Sequence, residues 1–224
     1  MRIVASLRLG YQTHTPMEQR FTDVYRTGEW SNNREYPLSG RGSTLEHTAQ
    51  VRKNLTDIIT RLFDKKNDLH IIDAPCGDMT WMPVWLNEIV SAGWKVHYQG
   101  IDVVKSVIEE NRAKVRIEHP GLKSLTFEHA DITEQPIAKA DLIICKELVN
   151  HLAFADIFKL LRNFTASQSR YVLVTSNKGW DNEELNLTSP GASRHIDLLR
   201  PPFNLPPPVY EDGFLAVWEN PIIG

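Results

Sequence analysis

Two carboxylates that close apolar runs are the residues of this 224-residue chain best placed for chemistry. Asp73 ends Leu69-His70-Ile71-Ile72, and Asp102 ends the run from Val96 to Ile101. An ionised carboxylate only accepts hydrogen bonds, so each acid calls for a donor-rich partner. A ligand presenting an amine and a ribose meets that demand. Asp73 would take the ammonium side through backbone and water, and Asp102 would accept both ribose hydroxyls. A second group follows at Lys146-Glu147-Leu148-Val149-Asn150-His151. Glu147 and His151 are spaced i, i+4, so a helical turn there would aim both at one side of a cleft. A histidine steadied by a carboxylate is the usual arrangement for a general base acting on a hydroxyl. The competing reading makes His151 a cap for a helix beginning near Leu152.

The elements that must position these groups can be read from periodicity. Ser43-Thr44-Leu45-Glu46 has capping-box spacing, and an apolar stripe through Leu45, Ala49, Leu55, Ile58, Ile59 and Leu62 predicts a helix over 44–63. Alternation follows: strand 69–73, helix 79–91, strand 95–101, helix 104–117, strands 125–129 and 140–145, helix 152–166 and strand 170–175. A short connection containing Pro136 replaces a helix between Asp131 and Ala140. Strands alternating with helices predict an α/β fold, a doubly wound, mostly parallel seven-stranded sheet covered on both faces. Phe214 to Glu219 reads as a last strand, antiparallel at the edge. Ligands in such sheets sit beyond the carboxyl ends of the strands, where Asp73, Asp102, Lys146 and Glu147 fall.

Asp73-Ala74-Pro75-Cys76-Gly77-Asp78 resembles the first motif of class I S-adenosylmethionine-dependent methyltransferases, departing from its glycine-richest form at Pro75, Cys76 and Asp78. Asp102 resembles the second motif. His129-Ala130-Asp131-Ile132 resembles the third, whose acid or its neighbour meets the adenine amino group. Asp141 to Leu152 resembles the fourth strand and its substrate-facing end, so the resemblance covers about residues 68–176. It implies S-adenosylmethionine as cofactor, lying across Asp73, Ala74, Cys76, Gly77, Asp102, Asp131 and the backbone near Lys146, with adenine packed on Val103 and Ile132. The turn from Asp73 to Asp78, the Ser39-Gly40-Arg41-Gly42-Ser43 segment and the tail from Arg194 to Pro206 together resemble small tailoring methyltransferases, which implies O-methylation of a sugar, glycan or small hydroxylated metabolite, with Glu147 and His151 at the acceptor. Lys146 to Leu152 is also similar to a segment of phosphoethanolamine methyltransferases, which keeps N-methylation of a small molecule open. A non-catalytic cofactor-binding protein is a further alternative, and an NAD-dependent oxidoreductase another. The latter wants G-x-G-x-x-G, and here Gly77 stands alone.

The flanks supply candidate covers. Residues 1–43 read as irregular, an N-terminal flap in which Gly40 allows close backbone approach to the methionine carboxylate of the cofactor and Trp30 serves as lid. An ordinary helix-entry loop is the other reading. Residues 177–213 hold six prolines, Pro190, Pro201, Pro202, Pro206, Pro207 and Pro208, so little helix is expected there. Arg194, Phe203 and Trp180 predict an ordered substrate-side loop, with Arg194 either binding the acceptor or pinning the loop through carbonyls. Length points to one domain over 1–224, with 44–176 the cofactor-binding core and 214–219 the edge strand. A net charge of -3 gives no electrostatic case for nucleic acid. Two cysteines and no long apolar run point to a reduced, cytoplasmic setting without membrane insertion. The histidines are scattered, so no catalytic metal is expected.

Overall fold

The computed structural model describes residues 16–32 and 34–224. The first fifteen residues of the 1–43 flap, and Asn33, lie outside them. Seven strands form one sheet: β1 (Asp68–Asp73), β2 (Lys95–Asp102), β3 (Leu122–His129), β4 (Leu142–Cys145), β5 (Tyr171–Thr175), β6 (Tyr210–Asp212) and β7 (Leu215–Glu219). Their order is β3-β2-β1-β4-β5-β7-β6. The pairs from β3 to β5 are parallel, whereas β7 runs antiparallel to β5 and to β6. The antiparallel strand is thus where the sequence put it, with the three residues of β6 added outside.

The sheet holds together through its central strands, which are buried on both faces as parallel strands commonly are. Every residue of β4 and β5 is buried. Alternate residues supply two cores. Ile72, Ile143, Val172, Val174 and Trp218 face one, built with α1 (Met17–Thr27) and α5 (Phe154–Ala166). Ile71, Ile144, Leu173 and Val217 face the other, built with α2 (Ala49–Leu62) and α3 (Met82–Ser91). The helix α4 (Lys105–Lys114) sends Val107 to the first core and Ile108 to the second.

Four expectations need correction. Helix α2 begins at Ala49, not residue 44: Arg41–Ser43 form a 3-10 turn and Thr44 is extended, at φ -66° and ψ 153°. Ser43 Oγ donates to the Ser39 carbonyl (3.4 Å) instead of capping, and Leu45 stands 48 % exposed outside the apolar stripe. The region before it is not wholly irregular, because α1 spans Met17–Thr27 and stops at Gly28 in the left-handed conformation. Helices α3, α4 and α5 are shorter than expected, by two or three residues at an end, and β3 begins earlier, at Leu122. The expected helical turn joining Glu147 to His151 is broken, because Glu147 itself adopts φ +60°. Only Val149–His151 is helical, as one 3-10 turn.

The segment 177–209 has no regular elements but is anchored. Ile196, Leu198, Phe203 and Leu205 are buried, and Phe203 packs against Phe154 and Phe158. The Asp197 carboxylate accepts from the Gly179 and Leu199 amides at 2.8 and 3.0 Å. Among the described residues, no helix is long and apolar enough to cross a membrane.

Candidate functional site

A cleft of about 330 Å³ opens at the carboxyl ends of β1, β2 and β4. Asp73 is delivered to it by β1 and is buried. Its Oδ2 accepts the Tyr98 hydroxyl at 2.7 Å. Burial pushes this carboxyl up to about 7, against the opposing pull of the Tyr98 hydrogen bond and the Lys146 charge. The turn after it is fixed by backbone: the Ala74 amide donates to the Ile144 carbonyl (2.8 Å) and the Cys76 amide to that of Ile101 (2.9 Å). Gly77, at φ +57°, completes the turn where the flap comes closest, and a Cβ there would strike Ser39 Oγ.

Asp102, at the end of β2, accepts from the Val104 amide (2.9 Å) and the Gly77 amide (3.0 Å), one on each carboxylate oxygen. Each oxygen keeps a second acceptor site. Burial raises this carboxyl to about 6, with the two backbone bonds acting against it. Val103 and Ile132 form apolar lining beside it. Asp131 also lines the cleft, and its Oδ1 accepts the Thr133 amide and hydroxyl at 2.9 and 2.7 Å. Lys146 lines it from the end of β4, with Nζ 3.4 Å from the Gly42 carbonyl.

Asp78, an oddity of the first turn in sequence, proves to be an anchor. Its Oδ2 accepts the Ser39 amide (3.0 Å), while its own amide donates to Ser39 Oγ (2.9 Å). The Tyr25 hydroxyl lies 2.8 Å from the same Ser39 Oγ. The flap is thereby tied to both α1 and the first turn, and Gly40 and Trp30 line the cleft with Met17, Phe21 and Tyr25. Trp30 also bridges to the far side: Nε1 donates to the Gly191 carbonyl at 3.1 Å. Neighbouring Glu29 accepts the Ser189 hydroxyl at 2.6 Å and the Gly191 amide at 3.2 Å.

His151 lies under this bridge, its ring centroid 4.7 Å from that of Trp30. Its Nδ1 is 3.0 Å from the Ala192 carbonyl. A carbonyl can only accept, so Nδ1 carries the proton and Nε2 the lone pair of the neutral ring. Burial lowers its pKa to about 4; the Arg20 and Arg194 charges lower it further, opposed by hydrogen bonding to the Ala192 and Gly191 backbone. Glu147 lines the same cleft but does not steady the histidine. Its Oε2 accepts from Asn150 Nδ2 (3.0 Å) and its amide donates to Thr175 Oγ1 (2.8 Å). The two residues expected to pair therefore share the cleft while each is held by another group.

The structure brings Trp30, Gly40, Asp73, Cys76, Gly77, Asp102, Val103, Asp131, Ile132, Lys146, Glu147 and His151 around one cleft. Ala74 is fully buried just behind the lining, and Arg194 stands outside it. Arg194 donates to the carbonyls of Val149 (2.9 Å), Asn150 (3.0 Å) and Glu183 (3.1 Å), the pinning geometry of the two readings open for it. Sequence reasoning missed Met17, Phe21 and Tyr25. An i, i+4, i+8 pattern over Met17, Phe21 and Tyr25 was the available signal. Among the described residues no group of three or more potential ligands is arranged to hold a metal ion.

A family model described as a methyltransferase domain matches residues 65–195. No curated protein sequence matches the chain. Among solved structures, an S-adenosylmethionine-dependent methyltransferase from Methanosarcina mazei is similar at 12 % identity and TM-score 0.52, over 73 % of this chain and 96 % of that one. Phosphoethanolamine N-methyltransferase 1 of Haemonchus contortus, solved with phosphoethanolamine and S-adenosylhomocysteine, is similar at 14 % identity and TM-score 0.51. That match spans 84 % of this chain and 40 % of the other. At such identities the likeness is one of fold.

Proposed function

The chain belongs to the methyltransferase-domain family and is a class I S-adenosylmethionine-dependent methyltransferase, and from that premise we propose that it O-methylates a sugar, glycan or other small hydroxylated metabolite, with His151 taking the hydroxyl proton. The cleft suits the donor. Its lining carries Asp73, Asp78, Asp102, Asp131 and Glu147 against only Arg41 and Lys146 as standing cations. Buried acids raised to about 6 and 7 are relieved by a cationic, donor-rich ligand. When bound, S-adenosylmethionine supplies an electrophilic methyl group on a sulfonium centre.

Asp102 would accept the ribose hydroxyls on the positions that Gly77 and Val104 leave open, and Asp73 would take the ammonium side. Val103 and Ile132 would pack on the adenine, with Asp131 at its amino group. Ala74, Cys76, Gly77 and the backbone at Lys146 would wall the ligand, and Gly40 and Trp30 would cover its carboxylate end.

The observation that carries the acceptor reading is the neutral His151, held at Nδ1 by the Ala192 carbonyl in the same cleft as Asp73. An imidazole with a pKa of about 4 is too weak a base to ionise an alcohol in advance. It is strong enough to receive the proton late, at Nε2, once the attacking oxygen has become acidic by gaining its methyl group. The Glu147 carboxylate favours a second reading, an amine acceptor, but the scarcity of cationic side chains argues against a phosphorylated one.

Assaying S-adenosylhomocysteine release against hydroxylated and amine acceptors tests the choice. His151→Ala should lower turnover by about a hundredfold while leaving S-adenosylhomocysteine affinity intact. Unchanged turnover removes His151 from the chemistry.

A further inference from the structure

The turn that carries His151 is gripped by two arginines from distant parts of the chain. A 3-10 turn leaves its last carbonyls without partners inside the turn. Here Val149–His151 is such a turn, and each of its carbonyls is met by a guanidinium. Arg194, from the 177–209 segment, bridges the carbonyls of Val149 (2.9 Å) and Asn150 (3.0 Å) through one nitrogen. Its own amide donates to the Asn150 carbonyl as well, at 3.0 Å. Arg20, from α1, donates to the His151 carbonyl and is itself buried, its guanidinium 4.5 Å from the Phe21 ring centroid.

We propose that Arg20 and Arg194 are positioning residues for His151, fixing the turn that aims its ring and keeping that ring uncharged. The proposal rests on His151 acting at the acceptor. Among the described residues, the charged groups around the ring are few. Arg20 approaches from α1 and Arg194 from the long loop. Glu147, on the same segment as His151, is engaged with Asn150, and Glu29 on the flap is engaged with Ser189 and Gly191. The other neighbours are the rings of Phe21 and Trp30 and the carbonyls of Gly191 and Ala192, which carry no charge. Burial is the largest cause of the neutral ring, and the two cations disfavour the imidazolium further, so Nε2 stays free to accept a proton near neutral pH. A lysine at 194 would keep a point charge but lose the second nitrogen, Nε, with which the guanidinium also holds the Glu183 carbonyl.

The test is an NMR titration of the His151 ring in the full chain, repeated in Arg194→Met, Arg20→Met and the two Arg→Lys variants, with turnover measured across pH alongside. Each Met variant should raise the His151 pKa by about one pH unit. The Lys variants should hold the parent pKa and still lose turnover through misplacement. A His151 titration that does not move in either Met variant overturns the inference. If Arg20→Met does not fold, the part-exposed Arg194→Met decides alone. A pKa that moves while His151→Ala keeps full turnover leaves the clamp standing and sinks the base assignment instead.

Discussion

Burial holds Asp73 at about 7 and Asp102 at about 6, so in the free protein both share protons with solvent near neutrality. A ligand that donates to these acids needs them ionised, so binding must expel the protons they carry. Affinity for S-adenosylhomocysteine should therefore fall as pH drops from 8 to 5.5, with net proton release on binding near pH 6.5. Calorimetry in buffers of different ionisation enthalpy reads both, and pH-independent binding would remove the two acids from the ligand. Asp102→Ala should weaken binding by roughly a hundredfold, since hydrogen bonds to a charged group contribute about 1.5–3 kcal/mol each. Unchanged affinity would place the ribose elsewhere. The positions of Asp73 and Asp102 at the cleft were legible in sequence because both close apolar strands, while Gly77 entered through the resemblance to the first motif. The Glu147–His151 pairing was misread, since one left-handed residue breaks the helical geometry that spacing assumes. The Ser39–Asp78 contact was invisible for another reason: the two residues lie 39 apart, and no local pattern encodes it.

The elements over the cleft meet at Gly191, where a Cβ would collide with Trp30 Nε1 and lie 2.9 Å from Glu29 Oε1. Gly191→Ala should push the long loop off the flap and lower turnover several-fold, with cofactor affinity nearly unchanged. Kinetics set beside calorimetry separates the two, and an unaffected turnover would show that the bridge has no part in holding the acceptor. Helix α1 escaped sequence reading because Pro16 precedes it where a capping side chain is usual, and its inward side includes buried Arg20. The start of α2 was misplaced because Ser43 and Glu46 have capping-box spacing without the geometry. Polar side chains at the right interval are a weak signal when the backbone between them is extended.

Across the whole molecule the sheet carries the fold, and its legibility follows from burial. Strands buried on both faces read as apolar runs, so β4 and β5 and the inner ends of β1 and β2 declare themselves, whereas Tyr210-Glu211-Asp212 is short, polar and partly exposed. Leu160, fully buried between α5 and the sheet, should cost about 2–5 kcal/mol when cut to alanine, a loss that denaturant unfolding measures. The chain Tyr25–Ser39–Asp78, continued by Gly77 to Asp102, links α1 to the floor of the cleft through successive hydrogen bonds. Helix α1 accordingly borrows part of its local stability from whatever occupies that floor. Amide protons of α1 should exchange with deuterium more slowly once S-adenosylhomocysteine is bound, while those of α5, seated on the sheet face, keep their rate. The fringe of the domain would thus report occupancy of its centre, a readout that works before any acceptor is known.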